Sequence, residues 1–406
     1  MTDPIAGTLL LNEVVIDDPY PFYRRLQAEA PVWRVPGTDV FTVSSYPLVA
    51  EAASRVEDFS SHMRFLLYRG EDGLPQRLSF GDAGADALAT ADPPMHKLHR
   101  EVVFSELVAK RMDALAPEVT EISLECLRNA VRHRNVDFMA AVGNMVPITV
   151  MMRLIGFADG QREQLFEAAV DSTSMLGSTL TRLELESRIV RTLEVQAWIA
   201  AQLDTALGNP NDQILGAVAR GIDDGVLSAQ EGCVVLHTLL SAGGESTTSL
   251  IGNAVRILAE RPDLQQHLRS TPELVPAFIE EVVRLESPFR FLMRYVPRPT
   301  TLGEVDIPGE ATVLLLWGAA NRDGTTFECP DDLSLERKVS RRHVAFGRGI
   351  HYCLGAPLAR LESRVVLTAL LERTRAFTLD PDDPPQWVQS LMVRRHNRLA
   401  LLVDPR

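Results

Sequence analysis

The chain has 406 residues, 46% of them hydrophobic, and a formal net charge of −13. That much apolar side chain supports a sizeable core and excludes disorder over most of the length, while the acidic balance excludes non-specific nucleic-acid binding, which needs a basic surface. No run of ~18 apolar residues is present and the N-terminus opens Met-Thr-Asp-Pro, so the sequence predicts a cytoplasmic protein with no membrane span and no export.

The reading is of one domain over residues 1–406, mainly α with a minor β part, and with residues 1–12 loosely ordered. In chain order, residues 20–30 read as a short helix, and 32–35 and 40–44 as strands around a Pro-Gly turn. Residues 59–91 form a long irregular stretch carrying Phe65, Leu66, Leu67, Tyr68 and Phe80, the composition of a lid over a substrate. A helix follows Asp92-Pro93-Pro94 and puts His96 and Arg100 on one face, able together to hold an anion; His99 and Lys97 read as a solvated face.

Ser228-Ala-Gln-Glu231 is a capping box and Pro262 a stop, so a helix over 228–260, roughly 48 Å long at 1.5 Å per residue, should cross the molecule. His237 on it reads as a satisfied core residue. Its middle, Ser241-Ala-Gly-Gly-Glu-Ser-Thr-Thr248, holds two adjacent glycines that cost about 2 kcal/mol against alanine. Either a ligand-accommodating groove or π-bulge, or close packing on a bulky neighbour, offsets that cost. Glu281 and Arg284, at i,i+3, share a helix face and can pair. Residues 300–307 and 311–316 read as a hairpin across Pro308-Gly309, and a second strong helix covers 358–374.

The four cysteines form no C-x-x-C pair, so neither a zinc site nor a disulfide framework is expected. Cys126, Cys233 and Cys329 look ordinary, but Cys353 lies in Phe346-Gly-Arg-Gly-Ile-His-Tyr-Cys-Leu-Gly355. Gly347 and Gly349 allow a tight turn beside a flat ligand, and Phe346 can pack on that ligand's face. Cys353 then opens a helix, where free N–H groups favour a thiolate. A dinucleotide loop is excluded because the third glycine of G-x-G-x-x-G would fall on Tyr352.

These ten residues resemble the haem-binding signature of cytochrome P450 enzymes at every defining position. The resemblance runs from Asp18-Pro-Tyr-Pro21 to the C-terminal strands and is closest to soluble bacterial, especially actinobacterial, members. It implies the P450 fold, a single large helical domain with a long central helix and small peripheral sheets, and heme b (iron protoporphyrin IX) ligated by Cys353. Phe346, Gly347, Gly349, His351 and Gly355 would surround that haem, with Gly243 on its other side. His96, Arg100, Arg294 and His351 would clamp its propionates. Glu281 and Arg284 would be buried and locked to a third arginine, Arg337 or, as runner-up, Arg322; the usual aromatic position before it falls on Leu333.

The resemblance further implies a groove for dioxygen followed by an acid–alcohol pair, Glu245 and Ser246. Serine replaces the usual threonine, and Thr247, ~100° further round, should matter less. The implied activity is monooxygenation of a lipophilic small molecule, by a monomer. Electrons would come from NAD(P)H through a ferredoxin and ferredoxin reductase, the donor docking on Lys97, Lys110, Arg111, Lys338, Arg341, Arg342, Arg348 and Arg364. A peroxide-driven peroxygenase and a non-catalytic haem sensor are the alternatives. Apolar candidates for the substrate pocket are Phe65, Leu66, Leu239, Leu240, Phe289, Leu292, Met293, Leu391 and Met392.

Overall fold

The computed structural model describes residues 5–79, 86–107, 109–338 and 340–406. Phe80 of the expected lid and the side chains of Lys110 and Arg111 lie outside the described residues. In chain order the main helices are α1 (Tyr20–Glu29), α2 (Met95–Leu107), α3 (Ala109–Ala130), α4 (Met145–Ile155), α5 (Arg162–Leu176), α6 (Arg182–Gly208), α7 (Ala229–Glu260), α8 (Val275–Leu285) and α9 (Ala356–Arg373).

α7 is the axis of the fold. Ser228 Oγ accepts from the Glu231 N–H at 3.2 Å, and the Glu231 carboxylate accepts from the Ser228 N–H at 2.7 Å, so the expected capping box forms. The helix packs against α4, α5, α6, α8 and α9, and Leu236, Leu240, Leu250, Ile251, Val255 and Leu258 are buried in the largest apolar cluster. Burying each such side chain is worth roughly 1.5–3 kcal/mol, which holds the rod in place without help from propensity.

No π-bulge interrupts α7, which is α-helical from end to end. A β-carbon on Gly243 would lie 2.5 Å from Met151 Sδ, and one on Gly244 3.1 Å from Ile148 Cδ1, both on α4. Close helix packing therefore explains the two glycines.

The strands form small separate sheets. β1 (Val32–Arg34), β2 (Val40–Val43), β5 (Leu292–Tyr295) and β8 (Thr312–Leu315) make one sheet in the order β1-β2-β8-β5. Between them in sequence, β3 (Phe65–Arg69) pairs with β4 (Pro75–Ser79), and β6 (Thr300–Leu302) with β7 (Val305–Ile307). The C-terminal β9 (Gln386–Trp387) and β10 (His396–Arg398) form a last two-stranded ribbon, and β10 packs on α7.

Three expectations need correction. The stretch 59–91 is not wholly irregular, because β3 and β4 form a hairpin closed by the Gly70–Gly73 turn. The hairpin after residue 300 turns at Gly303, whose φ of +59° suits glycine, while β8 leaves it to pair between β2 and β5. Residues 7–11 form a 3₁₀ turn with Leu10 and Leu11 in the core, so the chain is tied down well before residue 12.

Candidate active site

The cysteine loop is closed by two backbone hydrogen bonds, Gly347 N to Val344 O and Cys353 N to Phe346 O, each 2.8 Å. Gly347 and Gly349 adopt φ of +74° and +70°, where a side chain would be strained. A β-carbon at Gly349 would also meet Ala53 O at 3.2 Å. The turn delivers Cys353 to the start of α9, where the N–H groups of Gly355 and Ala356 approach its sulfur.

Burial pushes the Cys353 thiol up; those N–H groups and the charges of Arg100 and Arg360 pull it back down. Cys353 nevertheless keeps accessible surface, so the loop holds it open to a partner while its N–H neighbours favour the thiolate. Phe346 is braced by Arg360, whose guanidinium sits 4.5 Å over its ring and is itself held by Glu280 at 2.5 Å. Burial raises the Glu280 carboxyl, but His343 and Arg360 outweigh it and bring the pKa to about 2.

Four basic side chains from three elements meet beside this loop. His96 on α2 stacks on His351 with ring centroids 4.1 Å apart. Arg100, one turn on, donates to Tyr352 O at 2.9 Å. Arg294 on β5 is buried and donates to Met293 O. Burial and then the charge of Arg294 lower His351 to about 3, and its buried Nε2 has no partner among the described residues. Burial likewise lowers Arg294 to about 10. Of the described carboxylates, Asp92 is the one whose charge acts on this group, and it already accepts from Ser60 and Ser61 N. The two guanidiniums, Arg100 and the buried Arg294, converging beside two imidazoles held below their usual pKa, call for an anion.

On the opposite element, Thr238, Ala242 and Ser246 recur every fourth residue along α7 and keep accessible surface among mostly buried neighbours. Ser246 Oγ donates to Ala242 O at 2.6 Å. Glu245 is buried, and its Oε1 accepts from Arg395 Nε at 2.9 Å while its Oε2 has no partner among the described residues. Burial raises Glu245 to about 7 in spite of Arg395. Thr247 is buried and does not share the Ser246 face.

A cytochrome P450 family model matches residues 199–402. Cytochrome P450 144 of Mycobacterium tuberculosis is 38% identical over 391 residues, covering 96% of this chain and 90% of the relative. The chain belongs to the cytochrome P450 family. A second P450 relative, the 6-deoxyerythronolide B hydroxylase of Saccharopolyspora erythraea, is 33% identical over 95% of this chain and 96% of its own. Among solved P450 structures, CYP109E1 from Bacillus megaterium in complex with testosterone superposes with a TM-score of 0.86 at 28% identity, covering 96% of this chain and 99% of its own. The enzyme is thus a P450 monooxygenase, and its family implies haem and O₂. The residues present fit haem: Cys353 stands where the N–H groups of Gly355 and Ala356 meet its sulfur, and Arg100 and Arg294 converge on the loop beside His351, whose buried Nε2 has no partner among the described residues.

The Glu281–Arg284 pair is fully buried and bidentate, and Arg337 Nε adds a third bond to Glu281 Oε2 at 3.1 Å. Arg322, the runner-up, instead binds Asp331 and lies 3.5 Å over the Tyr20 ring. Leu333 fills its position by packing on the core.

Other expected site residues fall elsewhere. Gly243 keeps partial exposure on α7, and a side chain there would collide with Met151. Leu240, Leu391 and Met392 are sealed in core clusters and cannot wall a pocket, and Leu239 and Leu66 are also buried. Phe65, Phe289, Leu292 and Met293 keep partial exposure; Phe65 leans on Tyr295 of β5. His99 is not solvated but buried, its Nδ1 accepting from Leu88 N. His237 hydrogen-bonds Ser172, as a satisfied core histidine should. Sequence reasoning missed Arg395 and Arg360, whose partners lie 150 and 80 residues away.

Proposed function

We propose that the protein inserts one oxygen atom of O₂ into a lipophilic small molecule, with Cys353 as the haem-iron ligand. The observation that carries this reading is the meeting of His96, Arg100, Arg294 and His351 beside the Cys353 turn, two guanidiniums and two imidazole donors that a haem's two carboxylates would engage. Haem supplies the reduction of O₂, with two electrons and two protons, to water and an inserted oxygen atom.

The chain's own groups supply the rest. The Gly355 and Ala356 N–H groups stabilise the thiolate of Cys353. Ser246 presents a hydroxyl on the accessible face of α7, while Glu245, near neutrality in pKa, takes up and gives up a proton within the working pH range. Serine keeps the hydroxyl of threonine but loses the β-methyl that stiffens χ1. Phe65, Leu292 and Met293 offer apolar contacts to substrate, and 6-deoxyerythronolide B and testosterone, named with two relatives, are molecules of the expected class.

Electrons reach the site from a separate ferredoxin, served by its reductase. The exposed Lys97, Lys338, Arg341, Arg342, Arg348 and Arg364 would attract such an acidic partner to an otherwise acidic protein. The test of the ligand is spectroscopic. Reduced protein with carbon monoxide should show the red-shifted Soret band of a thiolate haem. Cys353→His should abolish it, and alanine at Cys126, Cys233 or Cys329 should not. A band retained in the Cys353 variant overturns the reading.

A further inference from the structure

Glu245 needs a source of protons, and one face of α7 carries a run of polar groups away from it. Glu245, Ser249, Gly252, Asn253, Arg256 and Glu260 fall within an arc of about 100° at 100° per residue, and Arg256 stands about 16 Å along the helix from Glu245. Against this face lies the segment leading into β10. Arg395 holds Glu245, Arg394 O accepts from Asn253 Nδ2 at 2.9 Å, and a β-carbon on Gly252 would lie 3.8 Å from His396 Cδ2.

The seam between them is full of unmet polar valences. Among the described residues, Glu245 Oε2, Asn253 Oδ1, Arg256 Nε and both ring nitrogens of His396 are buried with no hydrogen-bond partner. Glu245, Asn253 and His396 are each at most 1% exposed. Buried polar groups of this kind are met by ordered water.

The seam also has a mouth. A surface hollow of about 510 Å³ is lined by Arg256, Glu260, Glu286, Trp387 and Arg394 among others. Trp387 packs on His396 at 3.7 Å between centroids, with the guanidinium carbons of Arg394 and Arg256 at 3.4 Å and 5.5 Å from the centroid of the Trp387 ring. The hollow and the seam thus share walls.

We infer that water enters from this hollow and forms a chain along α7, past Asn253 and His396, to Glu245 Oε2, carrying solvent protons to that carboxyl. The proton moves by exchange along hydrogen bonds: each water or imidazole accepts one on one side and releases one on the other, and no electron is transferred. His396 suits that role while neutral, having one donor and one acceptor nitrogen. Burial first, then Arg256, Arg394 and Arg395, keep it neutral against the opposing pull of Glu286. The charged group facing Glu245 itself is Arg395.

The inference rests on Glu245 as the proton donor in turnover, and the test separates the two. In the holoenzyme at pH 6, the infrared carbonyl band that disappears in Glu245→Gln reports the protonated carboxyl, and transfer into D₂O reports its exchange without any turnover. His396→Phe keeps a ring but no nitrogen, and Asn253→Leu removes the acceptor. Each should slow exchange ten-fold or more and divert electrons to hydrogen peroxide, with the carbon monoxide band unchanged. If Glu245→Gln loses coupling but both seam variants exchange at the native rate, the route is wrong and the acid stands. If Glu245→Gln couples as the native enzyme does, the acid is wrong. Should the variants not fold, a high-resolution crystal structure of the native holoenzyme decides. Waters bonded to His396 and Asn253 Oδ1 support the chain, and a dry seam overturns it.

Discussion

Glu281 and Glu245 are both buried carboxylates tied to arginine, yet their proton affinities shift in opposite directions. Glu281 accepts two bonds from Arg284, one from Arg337 and one from Ser334 N, so both oxygens are occupied. Burial alone would raise its pKa, but these donors outweigh burial and lower it. Glu245 is no less buried, has one arginine on one oxygen, and rises to about 7. Burial is common to the two sites, and the count of donors decides the sign. Charges that hold the fold are saturated; the charge on the accessible helix keeps a lone pair free.

The comparison can be broken most decisively at Glu281. Glu281→Gln leaves Arg284 and Arg337 charged and uncompensated in the interior, and should lower stability by about 3–5 kcal/mol in denaturant unfolding. A loss below ~1 kcal/mol would show that the bonds to Asn321 O, Pro330 O and Asp332 O hold Arg284 unaided.

Glu245 should respond to pH and not to simple removal. Its folded pKa of about 7 exceeds the ordinary 4.5, so the folded state retains a proton that the unfolded state releases. Stability from this group is present below pH 4.5 and is lost as pH rises towards 7. Glu245→Gln should flatten that slope, an effect on the order of 2–3 kcal/mol across the window. Unchanged pH dependence would place the carboxyl among the saturated charges.

His237 is a milder case, a base held by the neutral Ser172 hydroxyl. Burial lowers it to about 4, so the unfolded chain binds a proton that the folded one refuses. Stability is full above pH 6.5 and falls as pH drops towards 4. His237→Asn should remove about 1 kcal/mol of that loss, discounted for partial exposure, as read from unfolding at pH 5 and 7.

The parts of the molecule legible in the sequence are those whose signal is local. The Gly347–Gly349 turn, the Ser228 capping box and the i,i+3 spacing of Glu281 and Arg284 all write their geometry within a few residues. Arg337 was reachable through the family resemblance. What was not legible depends on meetings across the chain. Arg395 reaches Glu245, and Met151 meets Gly243, through packing that no local pattern encodes. The β3–β4 hairpin is a different failure: Gly70, Asp72 and Gly73 are ordinary turn residues that the apolar run around them obscured. Leu240, Leu391 and Met392 misled because an apolar residue close in sequence to a site is as often its foundation as its wall.

The close approach of α4 and α7 makes Gly243 and Met151 a single locus in two places. A methyl group added at 243 has nowhere to go while a methionine stands at 151, yet a shorter residue at 151 would free the room that the methyl occupies. Each change alone is a loss, the first by crowding and the second by leaving a gap; made together they cancel. Descendants of this enzyme would therefore cross between the two pairings in a double step, and a redesign of the central helix has to treat the two positions as one choice.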